Sequence, residues 1–271
     1  MDDFRADLHC HSTCSDGSDD PLTLVRKAKE ISLKGLSITD HDTSAAYTPE
    51  LFALAKELEI RILTGVEISS ELEGIPVHIL GYGYDLKSAP FADFLQEIQK
   101  RRTERNRAIL KKLADKRMPI EEEEIAALKT NTVGRPHFAA IMVKKGYVAT
   151  FKDAFEKYLK DGAPCYAPGF KFTSNEAIEQ IHIGGGKAVL AHPHFYKKGS
   201  YLKKILSCHF DGIECYYACL PKEQERPWTK LAKERGWIAT GGSDCHGTIK
   251  NIPLGSSWVN ETVFNLLSHS P

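Results

Sequence analysis

Apolar positions along the chain follow two rhythms. Short runs such as Leu36 to Thr39, Arg61 to Val66, Pro76 to Leu80, Lys187 to Ala191, Gly212 to Cys215 and Trp237 to Gly241 read as buried strands of a parallel sheet. Between them the period lengthens to that of a helix. Leu22, Val25, Ala28 and Ile31 stripe one helix over Pro21 to Leu33, started by Asp20-Pro21 and ended by Gly35. Further helices are predicted at Pro49 to Leu58, Ser174 to Ile183, Tyr201 to Leu206 and Glu223 to Arg235. This alternation predicts an α/β fold, a barrel or an open parallel sheet, whose chemistry gathers at the C-terminal rim of the strands.

The rhythm breaks between residues 92 and 164. Helical stretches (Phe94 to Lys116, Glu121 to Leu128, Arg135 to Lys145, Phe151 to Leu159) follow one another there with nothing that resembles a strand. The expected organisation is a barrel domain made of 1–91 and 165–271, with 92–164 as a helical insertion over its rim. From Gln96 to Cys165 there are 16 Lys plus Arg against 10 Asp plus Glu, inside a chain whose 36 basic and 36 acidic residues cancel. The insertion therefore brings cations to the rim, while no global field recruits nucleic acid or a membrane. No run approaches the length of a membrane helix, and the N-terminus lacks a signal-peptide pattern, so a cytoplasmic location is expected. Seven cysteines without CxxC spacing argue against a disulfide framework and a tetrathiolate zinc site; Cys10 and Cys14 read as small buried thiols.

Candidate chemistry concentrates at the predicted strand ends. His9 and His11 stand two apart on a strand and so share a face, and the Ser15-Asp16-Gly17 turn folds Asp16 back toward them. His41, Glu67, His78, His192, Asp244 and His246 occupy the equivalent positions elsewhere, and these nine include six of the eleven histidines. Imidazoles and carboxylates without thiolates suit zinc, manganese or iron, and nine donors are too many for one ion. Shared among two or three ions, they would turn a bound water into hydroxide at neutral pH and hold a phosphoryl group against it.

The motifs Asp7-Leu8-His9-x-His11-Ser12-x-x-Ser15-Asp16-Gly17, Thr39-Asp40-His41, Gly65-Val66-Glu67, Ala191-His192-Pro193 and Gly242-Ser243-Asp244-x-His246-Gly247 resemble the PHP (polymerase and histidinol phosphatase) family of metal-dependent phosphoesterases. With Gly134-Arg135-Pro136-His137-Phe138-Ala139 in the insertion, the chain is most similar to 3',5'-nucleoside bisphosphate phosphatases and their 5'-3' exoribonuclease relatives. The resemblance implies a distorted seven-stranded (β/α) barrel and a trinuclear, manganese-activated site, with zinc, iron or magnesium as alternatives. One ion would take His9, His11, Glu67 and Asp244, a second Glu67, His78 and His192, and a third Asp16, His41 and His246. Glu67, Asp244 and His192 are assigned to catalysis.

Substrate binding is expected from the insertion. Arg101 or Arg102 lies one helical turn from Arg105, able to grip one anionic group, and Arg135 and His137 follow Gly134 at the start of a helix, a natural phosphate seat. The expected partner is a phosphorylated nucleotide, with short RNA as a second substrate class, and no obligate protein partner. Asp40, ahead of Asp42, is read as orienting His41; Glu214 is read as a strand residue, His194 as a weaker ligand candidate, and His182, His209 and His269 as surface histidines. Rival readings are a histidinol-phosphate phosphatase, an amidohydrolase, which also opens with HxH but would want a bridging lysine where Glu67 stands, and a non-catalytic metal-binding module.

Overall fold

The computed structural model describes residues 4–268 apart from 129, 131, 170, 171, 197 and 198. Its strands are β1 (Ala6–Cys10), β2 (Gly35–Ile38), β3 (Arg61–Ile62), β4 (Gly65–Leu72), β5 (Ile75–Tyr82), β6 (Phe172–Thr173), β7 (Lys187–Leu190), β8 (Gly212–Tyr217) and β9 (Ile238–Gly242). They form two sheets, ordered β1-β2-β3 and β6-β4-β5-β7-β8-β9. Two isolated bridges join the sheets, His41 to Glu67 and Cys10 to Cys245, both parallel. The seven strands β1, β2, β4, β5, β7, β8 and β9 thereby close into a distorted barrel, with the two-residue strands β3 and β6 paired at the edges of β2 and β4.

β5 is the exception to parallel pairing, running antiparallel to both β4 and β7. The cause is local. Glu73 and Gly74 both have positive φ, the signature of a two-residue hairpin turn, and so short a link can only reverse the chain. The hairpin extends β4 to Leu72, so Glu67 sits within a strand and not at its exit, a correction to the sequence reading. Gly35 is likewise corrected. The first helix stops at Glu30, and Gly35 opens β2, where a Cβ would stand 2.8 Å from Ala6 and from Phe264.

Asp20 starts that first helix by accepting from Leu22 N and Thr23 N. The C-terminal helix Glu261–Ser268, which the apolar pattern did not reveal, packs buried Phe264 and Leu267 against Phe4, Ala6, Leu8 and Tyr82, closing the barrel end away from the rim. Burying Phe264 contributes on the order of 2 kcal/mol.

The long helix Ala89–Asp115 belongs to two cores. Phe91, Phe94, Leu95 and Ile98 pack with barrel residues such as Val66 and Ile181, whereas Ile109 and Leu113 pack with Phe138, Met142 and Leu159 in a separate helical cluster. The expected boundary at residue 92 thus falls inside one helix. Thr130 Oγ1 donates to Ser15 O (2.6 Å) and Thr132 N to Cys14 O (3.1 Å), tying the helical segment to the loop that carries Asp16. Among the described residues no helix is long and apolar enough to cross a membrane.

Candidate active site

Barrel closure brings the strand ends to one place. Asp7, fully buried on β1, accepts from the backbone N–H groups of His9 (3.2 Å), Ser243 (2.9 Å) and Gly255 (2.8 Å), stapling β1 to the segment that follows β9. Gly242 permits the approach, since a Cβ there would lie 2.3 Å from His9 N. His192 and Asp244 both have positive φ, a conformation that costs about 1 to 3 kcal/mol per residue and turns each side chain off its strand.

All nine candidate ligands meet around Glu67. Oε2 lies 3.2 Å from His9 Nε2, 3.1 Å from His11 Nε2 and 3.4 Å from His41 Nδ1; Oε1 lies 2.7 Å from His78 Nδ1 and 2.9 Å from His192 Nε2. Asp244 Oδ1 is 3.5 Å from His9 Nε2 and 3.3 Å from His11 Nε2. Asp16 reaches His246 Nε2 at 3.4 Å and His41 Nε2 at 3.8 Å. Three donor groups result: His9, His11, Glu67 and Asp244; His11, Asp16, His41 and His246; and His41, Glu67 and His78. The first is one of the sets implied by the resemblance. In the other two, His11 and His41 are shared more widely than implied, and His192 stands beside Glu67 outside the tightest group.

These donors fit divalent cations. Two ligands at about 2.1 Å from one ion stand about 3.0 to 3.5 Å apart, the range of most separations above. His11 Nε2 and His41 Nδ1 are buried without a hydrogen-bond partner among the described residues, so neighbouring carboxylate oxygens are close but misaligned for proton sharing. Electrostatics agree. Burial pushes the carboxyls of Asp16, Glu67 and Asp244 up, but the surrounding imidazoles outweigh it and hold all three well below the usual carboxylate range. Burial takes His41 down to about 3, leaving it a neutral ligand. His11 rises to about 9 because, against burial, Asp244 and Glu67 favour its charged form; a bound cation would take the place of that proton.

The residues holding the ligands were mostly missed or misassigned from sequence. Glu214, read as a strand residue, accepts His9 Nδ1–H at 2.8 Å and the backbone N–H of His192 at 2.6 Å. Asp244 Oδ2 accepts from Tyr217 OH (2.7 Å) and Lys250 Nζ (2.9 Å), which leaves Oδ1 facing His9 and His11. Asp40 makes no bond to His41. It accepts from Ser12 N (2.7 Å), Ser12 Oγ (2.5 Å) and Ser15 Oγ (2.5 Å), shaping the loop behind Asp16. Asp42 pairs with Arg102 and accepts from Ser69 N at 2.7 Å. His194 packs at a tilt against Phe195 and Tyr217; His182 and His209 are at the surface, and His269 lies outside the described residues.

A cleft of about 260 Å³ adjoins the cluster, and its lining joins Asp16, His41 and His78 with Arg101, Arg102, Arg105 and Arg135. Arg101 is paired with Glu97 and stacks on Phe172, and Arg135 is paired with Asp161. Arg105 has a carbonyl partner, Val133 O, and its Nε is buried without a partner among the described residues. Burial, with Arg102 and Arg135 nearby, takes it down to about 9, a sign of crowded positive charge wanting an anion. His137 does not line the cleft. Its Nδ1 accepts from Gly134 N at 2.9 Å and caps its own helix.

A family model described as PHP domain matches residues 7–164. The chain is 37% identical over 256 residues to the 5'-3' exoribonuclease Rnm of Salmonella typhimurium (92% of this chain, 87% of the relative). It is 31% identical over 254 residues to the 3',5'-nucleoside bisphosphate phosphatase of Chromobacterium violaceum (89% and 86%). A crystal structure from Bifidobacterium adolescentis, assigned as a metal-dependent phosphoesterase, superposes with a TM-score of 0.86 at 28% identity, covering 97% of this chain and 94% of that one.

Proposed function

The chain belongs to the PHP domain family of metal-dependent phosphoesterases, and from that premise we propose that its substrates are 5'-phosphorylated nucleotides that lose what is esterified at the 3' position. The leading substrate is a nucleoside 3',5'-bisphosphate such as adenosine 3',5'-bisphosphate, converted to AMP and phosphate. The observation that carries this reading is the cleft shared between Asp16, His41 and His78 and four arginines. One phosphate rests on guanidinium groups while a second meets the donor cluster.

His9, His11, Asp16, His41, Glu67, His78, His192, Asp244 and His246 would hold two or three divalent cations, manganese in this reading. Bound there, such ions supply Lewis acidity that acidifies water and neutralises phosphoryl oxygens. The chain's own residues position the rest. Arg105 and Arg135 grip the 5'-phosphate, Arg102 is kept in place by Asp42 and Ser69, and Tyr166 and Phe172 wall the nucleoside. Water adds to phosphorus, the bond to the 3'-oxygen breaks, and that oxygen takes up a proton as it leaves. Cleaving the same bond in 5'-phosphorylated RNA would release a 5'-mononucleotide and shorten the RNA from its 5' end, the direction in the name of the Salmonella relative, a 5'-3' exoribonuclease. A histidinol-phosphate phosphatase would leave the guanidinium groups without a ligand, and an amidohydrolase would want a lysine at Glu67.

Phosphate release with manganese from adenosine 3',5'-bisphosphate, AMP, histidinol phosphate and a short 5'-phosphorylated RNA tests the reading. The bisphosphate should turn over and AMP should not. Arg105→Ala should raise KM for the bisphosphate by roughly 10- to 100-fold, the worth of one charge-assisted phosphate contact, with kcat retained. Equal use of AMP and bisphosphate, or a loss confined to kcat, refutes it.

A further inference from the structure

An aromatic ring that is more than half exposed beside a polar site, and held from behind by other rings, presents an apolar face on which a flat ligand can stack. Phe195 is the most exposed of the large apolar side chains among the described residues, at 61%, and Ile249 is second at 57%. Each follows a histidine of the donor cluster by three residues, His192 and His246 respectively. Phe195 touches its histidine and so stands on the rim beside the cluster. Phe195 ends the short turn Pro193–Phe195, with its ring centroid 5.0 Å from His192, 4.3 Å from His194 and 5.7 Å from Tyr217. His194 and Tyr217 back it at 4.5 Å from each other, which fixes the ring while its outer face stays open.

Position gives this ring a direction. The arginine cleft opens on the His41 and His78 side of Glu67 and does not include His192 or Phe195. His78 and His192 share Glu67 Oε1, 5.2 Å apart between ring centroids, so Phe195 lies past His192 when leaving the cleft. A chain with its 5'-phosphate on the arginines and its 3'-phosphate at the cluster must continue on that side. Lys250 Nζ lies 2.9 Å from Asp244 Oδ2, the oxygen that also accepts from Tyr217 OH, and the Tyr217 ring touches Phe195, so a cation stands on that side of the cluster. Sequence-tolerant single-strand sites combine an aromatic platform with nearby cations in this way.

We propose that Phe195 is the stacking platform for the base that follows the scissile phosphate, forming a second nucleotide subsite that single-stranded RNA fills and a bisphosphate leaves empty. This rests on the substrate reading above. The experiment compares kcat/KM for a 5'-phosphorylated tetraribonucleotide and for adenosine 3',5'-bisphosphate in wild type, Phe195→Ala, Phe195→Leu and Phe195→Trp. The Ala and Leu variants should lose roughly 5- to 100-fold on the oligonucleotide, the range of one base-stacking contact, and should keep the bisphosphate rate within about twofold, with Trp close to wild type. An oligonucleotide abasic at its second position should be a poorer wild-type substrate by a similar factor and insensitive to Phe195→Leu. Parallel losses on both substrates, or a Leu variant equal to wild type on the intact oligonucleotide, overturn the proposal. If wild type hydrolyses the bisphosphate and not the oligonucleotide, this subsite fails while the bisphosphate reading stands; if it hydrolyses neither, the substrate reading itself fails.

Discussion

Glu214→Gln isolates what a buried carboxylate does for the cluster without changing its shape. Glu214 is 1% exposed and uses both oxygens, one accepting His9 Nδ1–H at 2.8 Å and the other the backbone N–H of His192 at 2.6 Å. Placing the ring proton on Nδ1 leaves His9 Nε2 bare toward Glu67 and Asp244, which is the tautomer a cation requires. Glutamine offers one acceptor and one donor, so whichever way its amide turns, an N–H faces another N–H. The loss is one charge-assisted bond and one buried donor left unpaired, about 1.5 to 3 kcal/mol. Expressed as cation affinity this is roughly a 10- to 100-fold increase in the manganese concentration giving half-maximal activity, with most of kcat recovered at saturation. Thermal stability is the wrong readout, because removing a buried charge also removes its desolvation cost. Manganese titrations that superimpose for the variant and wild type would refute the role assigned to Glu214.

Three further outcomes are expected. Dialysis against a chelator should abolish turnover, and manganese at about 100 times its dissociation constant should restore it and stabilise the fold by about 2.7 kcal/mol in thermal or denaturant unfolding, whereas Asp244→Ala should show neither response. Gly242→Ala should cost several kcal/mol or yield no folded protein, since the added Cβ would sit 2.3 Å from His9 N and 2.4 Å from His9 Cβ, measured by circular dichroism and urea unfolding. Asp211 is pushed up by burial but held below its ordinary value by the hydrogen bonds from His182 (2.7 Å) and Ala188 N (2.8 Å). A depressed carboxyl stabilises the fold fully above about pH 4 and loses that contribution as pH falls through its folded value. The stability gap between wild type and Asp211→Asn should therefore shrink on acidification, and a gap unchanged from pH 7 to pH 3 would contradict this.

Much of the architecture was written in local pattern. Asp20-Pro21 marked a helix start, Ser174 to Ile183 marked a helix with both ends right, and the HxH spacing of His9 and His11 marked a shared face, because caps and side-chain periodicity act between near neighbours. Patterns failed where a short signal competed with a longer one. The Glu73-Gly74 turn reversed a strand that the surrounding parallel rhythm suggested would run forward. The C-terminal helix is only eight residues long, so its apolar positions Val263, Phe264, Leu266 and Leu267 span too few turns to show a helical stripe.

The sequence by itself determined which chemistries were available. Six histidines with three carboxylates and no thiolate pairs point to divalent cations, and the excess of arginine and lysine in one segment points to an anion. Tertiary structure alone decided which of many acidic residues act in support. Nothing local separates Asp7, Asp40, Asp42 and Glu214 from one another, and each acquires its distant partners only when β1, β4, β8, the long helix and the loops after β1, β2, β7 and β9 converge. A buried carboxylate is defined by the donors around it, and those donors lie up to 248 residues away in the chain. Ligand identity is a property of a side chain, whereas orientation and charge state belong to the packing that surrounds it.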